Sequence, residues 1–150
     1  MNVIYITGRG GDANSGLGEY LKKRYPSRIG LSVNNNFLRL DFHKQVEAVV
    51  GLVKQFDSPT TYVIANSYGA YLCLHALIDT PNYQSHFLLL SPVIGAAFDR
   101  QTFAYSRLPG CKKYDLAVIE KRFSLPGSLG IYVGSDDAGY DLSRFSDLCS

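Results

Sequence analysis

Short apolar runs alternate with stretches of helical periodicity from the first residues onward. Val3 to Thr7 is a β-branched run closed by Gly8-Arg9-Gly10-Gly11, which predicts a strand and then a turn. Leu17 to Tyr25 predicts a helix, with Asn14 or Ser15 as its cap and Pro26 just beyond its end. A second strand is expected over Ile29 to Val33, closed by Asn34-Asn35-Asn36. The best-patterned element follows. Phe42, Val46, Val49, Val50, Val53 and Phe56 recur at i, i+4, i+7, i+8, i+11 and i+14, one face of an α-helix, with Asp41 where its N-cap belongs.

After Ser58-Pro59, Tyr62 to Ala65 predicts a third strand, which runs through Asn66-Ser67-Tyr68-Gly69 into Ala70 to Ile78. That last stretch is apolar nearly all round, so as a helix it must be covered on most sides. Phe87 to Leu90 and Leu129 to Val133 predict a fourth and a fifth strand. The 38 residues between Ser91 and Ser128 carry one helical pattern, Tyr114 to Phe123, and a connection of that length suggests a lid or insertion around 92–128. Continuous apolar strands alternating with helices imply a mostly parallel β-sheet with helices on both faces. No repeat, linker or low-complexity segment divides residues 1–150, so one α/β domain is expected.

Composition removes several function classes. Hydrophobic residues make up 46% and charged residues 19%, values of a chain that folds rather than one that stays disordered. The formal net charge is only +2, and the densest basic stretch, Lys22-Lys23-Arg24, sits where it complements a helix C-terminus. No nucleic-acid partner is expected. No apolar run reaches the roughly 18 residues of a membrane span, and Met1 to Ile6 lacks the basic start of a signal peptide, so neither membrane nor export is expected. Cys73, Cys111 and Cys149 share no metal-type spacing and fit reduced thiols in a cytoplasmic protein that needs no metal. Cys73 falls in the apolar helical run and reads as core.

The chemistry concentrates at Ala65-Asn66-Ser67-Tyr68-Gly69-Ala70. An apolar strand, a tight turn and an apolar helix put Ser67 at the tip of a sharp bend, where small neighbours let strand and helix backbones approach. The serine then projects at the C-terminal edge of the sheet, and the helix dipole aims its positive end at negative charge forming there.

In these residues the chain resembles the α/β-hydrolase family, particularly small members that begin at the strand before the oxyanion loop. Ala65-Asn66-Ser67-Tyr68-Gly69 resembles the nucleophile elbow, with Ala65 in place of its first glycine. Thr7-Gly8-Arg9-Gly10-Gly11 stands where the family has a His-Gly loop. The resemblance therefore implies backbone N–H donors at Arg9 and Tyr68 for the oxyanion. Gly134-Ser135-Asp136-Asp137 resembles the acid motif and implies Asp137 as the triad acid, with Asp136 as second choice. The implied fold is a minimal α/β-hydrolase fold, a three-layer αβα sandwich. The implied activity is that of a serine hydrolase, acyl hydrolysis of the esterase or thioesterase kind on a small ester, without a cofactor. Phe98, Phe103, Tyr105 and Leu108 would suit the lining of an acyl pocket.

One part of the pattern is absent. The family orders its triad as Ser, then acid, then His, and no histidine follows Asp137. His75 lies eight residues along the elbow helix, roughly 12 Å from its start, and His86 precedes a strand on the opposite edge. His43 opens a helix on the catalytic edge, away from the family's position for the base. The sequence thus reads either as a form lacking the C-terminal strand and His loop, the preferred expectation, or as a hydrolase-fold protein that binds or regulates without turnover. Gly8-x-Gly10-x-x-Ala13 also matches a dinucleotide-binding fingerprint, but the second strand ends in Ser32-Val33-Asn34 without the acid that would hold a ribose.

Overall fold

The computed structural model describes residues 1–94 and 108–134 of the chain. Strand β1 (Asn2–Ile6) leads to helix α1 (Leu17–Arg24), then β2 (Ile29–Leu31), a short α2 (Asn35–Leu38) and α3 (Phe42–Phe56). There follow β3 (Thr61–Asn66), α4 (Tyr68–Ala76), β4 (His86–Leu90), α5 (Cys111–Ile119) and β5 (Ser128–Tyr132). The five strands form one sheet in the order β2-β1-β3-β4-β5, and every pair is parallel. The chain reverses its winding direction between β1 and β3, the crevice where open α/β sheets place their sites.

Strand side chains alternate between two faces. In register across the sheet, Ile4, Val63, Phe87 and Leu129 form one row on the face packed by α3, α4 and α5. Ile6, Ala65, Leu89 and Ile131 form the next row. Helix α1 covers the other face through Leu21, which packs with Tyr5, Ala13 and Ile64. The strands are therefore less uniformly buried than their apolar runs suggest. Tyr62, on that second face, stays 42% exposed among the described residues.

All nine residues of α4 are buried, as their apolar composition requires, because the helix packs on β3 and β4 and is flanked by α3. Full burial of side chains such as Leu72 and Leu74 contributes roughly 1.5–3 kcal/mol each. This anchors the start of α4, and hence the residue before it, to the best-packed part of the molecule. Cys73 is fully buried there, and burial pushes its thiol pKa up, so it is packing rather than chemistry.

Three local expectations need correction. Neither Asn14 nor Ser15 caps α1: Gly16, at φ 52°, is its N-cap, and Asn14 and Ser15 are hydrogen-bonded to Asp12. The Asn34 to Asn36 run does not merely close β2, since Asn34 Oδ1 accepts from the N–H groups of Asn36 and Phe37 and starts α2. The helix of the long connection begins at Cys111, three residues before Tyr114, and ends at Ile119.

Candidate active site

A single residue, Ser67, separates β3 from α4, and its φ of 52° and ψ of −120° lie outside the region that side-chain-bearing residues normally occupy. The backbone is held there from both sides. Ser67 N–H donates to Leu90 O at 2.8 Å, while its carbonyl accepts from Tyr71 N–H at 3.1 Å and Val93 N–H at 3.4 Å. Such a conformation costs on the order of 1–3 kcal/mol and persists only where surrounding contacts over-determine it. Asp79, Ser91 and Lys121 also take positive φ, so strain alone does not single out Ser67. Its place does, at the tip of the strand–turn–helix beside the switch point. Its side chain is half-buried rather than exposed, and its hydroxyl has no hydrogen-bond partner among the described residues.

Two glycines make the bend sterically feasible. A Cβ on Gly69 would overlap the Thr7 carbonyl oxygen and come within 2.9 Å of Ile6 Cγ2 and O, so α4 starts directly against the end of β1. A Cβ on Gly8 would lie 3.2 Å from Ser67 Cβ. The loop after β1 is thereby brought alongside the serine. Asn66 fastens it there, its Oδ1 accepting from Gly8 N–H at 3.1 Å and from Tyr5 Oη at 3.0 Å. Thr7 Oγ1 accepts from Val33 N–H at 2.9 Å, and Gly10 N–H donates to Val33 O at 2.8 Å, which ties the loop to the end of β2. With Gly8 N–H engaged, the N–H groups of Arg9 and Tyr68 have no acceptor among the described residues.

No protein-family model matches the chain, and no curated protein does. Among solved structures, the ydeN gene product from B. subtilis superposes at a TM-score of 0.58, with 18% identity over 99% of this chain and 78% of that one. This is a minimal α/β-hydrolase fold. At that identity the likeness concerns the fold alone. Esterase PE8 aligns over 99% of this chain and 89% of that one, but at a TM-score of 0.41 and 13% identity it adds no argument.

Within the hydrolase fold, Tyr68 is buried and its hydroxyl donates to Gln45 Oε1 at 2.9 Å. Gln45 in turn donates from Nε2 to Leu40 O at 2.8 Å. The Arg9 guanidinium lies 5.9 Å from the centre of the Tyr68 ring. Burial raises the Tyr68 pKa while the nearby Arg9 charge opposes the rise, so the phenol stays neutral. Leu108 is buried in the core cluster, its segment held on α4 by Tyr71 Oη donating to Pro109 O at 2.9 Å. Phe98, Phe103 and Tyr105 lie outside the described residues.

Asp136 and Asp137 also lie outside the described residues. The strand before them, β5, is parallel to β3, so the chain leaves it at the same edge as Ser67. His43 is exposed in the first turn of α3. His86 opens β4 at the far edge, its ring bonded to Ser128 Oγ at 2.8 Å and Pro59 O at 3.0 Å. His75 is buried among the rings of Tyr71, Phe42 and Tyr114, and burial, with Lys113 nearby, pushes its pKa down to about 3. Among the described residues no group of three or more His, Cys, Asp or Glu is gathered as metal ligands, and no helix is long and apolar enough to cross a membrane.

Two supporting residues, Asn66 and Gln45, were not singled out from the sequence. Gln45 did leave a signal. It shares the buried stripe of α3 with Val49 and Val53, and a polar residue there requires a partner.

Proposed function

We propose that this chain is a serine hydrolase of the esterase or thioesterase kind, acting on a small ester with Ser67 as nucleophile. The observation that carries the reading is the held, positive-φ conformation of Ser67 at the strand–helix bend, with its hydroxyl unpartnered among the described residues. In the proposed reaction Ser67 Oγ attacks the ester carbonyl carbon and gives its proton to a base. The tetrahedral oxyanion accepts from Arg9 N–H and Tyr68 N–H. The oxyanion then collapses, the C–O or C–S bond breaks, and the leaving alcohol or thiol takes up a proton. Water hydrolyses the resulting acyl-Ser67. Asp137, or Asp136 in its stead, is the proposed acid.

The weak member of this set is the base. His75 is buried down the helix, His86 is on the far edge, and His43 is exposed in the first turn of α3. Without a base, Ser67 keeps the low nucleophilicity of an alcohol, and about 10³–10⁴-fold acceleration over water survives from oxyanion stabilisation and binding. What supports the second reading, a hydrolase-fold protein that binds at this site without turnover, is the burial of His75 and the placing of His86 at the far edge. The dinucleotide reading has less support: α1 begins only at Leu17, so the glycine loop does not run straight into a helix.

The test is acylation by para-nitrophenyl butyrate, followed by nitrophenolate release. The enzyme reading expects slow, stoichiometric release that Ser67→Ala abolishes and added imidazole accelerates by supplying the base. Release equal in wild type and Ser67→Ala would remove it and leave the binding reading.

A further inference from the structure

The loop that brings a backbone N–H beside Ser67 also brings a cation. Arg9, itself exposed, follows Gly8, whose backbone lies against Ser67 and is fastened by Asn66, so its main chain is held beside the bend. Its guanidinium lies near the face of Tyr68, the residue next to the nucleophile. A ring beneath a guanidinium shields one side from water and leaves its N–H edge free for a planar anion. Among the described residues Arg9 forms no ion pair, and the Tyr68 phenol donates its proton to Gln45. The nearest acid in sequence, Asp12, accepts from Asn14 N–H at 2.9 Å. The loop that would stabilise an oxyanion thus also carries a charge unpaired among the described residues, which points to the substrate's chemistry.

We infer that the site selects an anionic acyl substrate, an ester or thioester of a short dicarboxylic acid whose free carboxylate pairs with Arg9. This rests on the serine hydrolase reading above. Arg9 supplies specificity through its side chain, separately from the oxyanion role of its backbone. The guanidinium fork matches a carboxylate in bidentate fashion, and a hydrogen bond between charged groups of this kind is worth about tenfold or more in rate or affinity.

The experiment compares two probes of similar length, chosen so that the free carboxylate does not readily close a ring on its own ester: the para-nitrophenyl monoester of adipic acid and para-nitrophenyl hexanoate. The wild type should be acylated about tenfold faster by the adipyl ester, with the preference shrinking as salt rises. In Arg9→Gln the ratio of the two rates should fall to about one, and Arg9→Lys should retain part of it. The ratio is the readout, so any general effect of the substitution on the loop cancels. An unchanged ratio in Arg9→Gln, or a wild-type preference under about twofold, overturns the inference. If neither ester acylates Ser67, the hydrolase reading has failed, and the inference is judged by calorimetric binding of monomethyl adipate. Saturable binding lost in Arg9→Gln supports the anion site, and equal or absent binding in both proteins overturns it.

Discussion

Acidification should destabilise this protein through His75, and a single substitution should remove that part of the loss. The ring is 3% exposed and enclosed by Tyr71 at 4.6 Å, Phe42 at 4.9 Å and Tyr114 at 5.8 Å between centroids, and its Nε2 has no partner. Desolvation first, then Lys113, pushes its pKa from 6.5 down to about 3. Above pH 6.5 neither the folded nor the unfolded histidine holds a proton, and the residue contributes no pH dependence. Between pH 6.5 and about 3 the unfolded chain takes up a proton that the folded one refuses, so stability falls with pH. At about 1.4 kcal/mol per pH unit the loss reaches roughly 3 kcal/mol by pH 4.5, and on the order of 5 kcal/mol over the whole window. His75→Phe keeps an aromatic ring in the cage and removes the titration. Urea unfolding followed by circular dichroism from pH 7 to 4 should show a shallower acid limb for the variant. The two proteins should match within about 1 kcal/mol at pH 7 and diverge by roughly 3 kcal/mol near pH 4.5. Parallel stability profiles over that range would refute the reasoning.

Gly69→Ala should destabilise the fold by about 1–3 kcal/mol or more in urea unfolding, because the new Cβ meets backbone at Thr7 and Ile6 rather than a side chain that can yield. It should also slow Ser67 acylation, since α4 must shift away from β1. Asn66→Ala leaves Gly8 N–H and Tyr5 Oη without their shared acceptor, which should cost about 1–3 kcal/mol and loosen the loop carrying Arg9. A calorimetric melt checks the first effect and the acylation rate the second.

The elements were legible because each carries its own local pattern. The period of Phe42, Val49 and Val53 marks α3, and the β-branched run at Val3 marks β1. The bend at Ser67 was legible for the same reason, since strand, turn and helix are contiguous in sequence. The misreadings are local competitions between polar residues. Asn14, Ser15 and Gly16 all suit a cap, and Gly16 occupies it because the chain enters α1 at positive φ. What could not be read is whatever depends on distant pairs. Asn66 reaches Gly8 across 58 positions and Tyr68 reaches Gln45 across 23, and neither contact leaves a periodic trace.

The most direct test of the central claim is the site of covalent modification by excess fluorophosphonate, mapped by peptide mass spectrometry. The account predicts labelling at Ser67 alone. It also predicts that the Ser67→Ala protein stays unlabelled over the same exposure. Phosphonylation scattered over surface tyrosines and lysines with Ser67 untouched, or equal labelling of the two proteins, would contradict it.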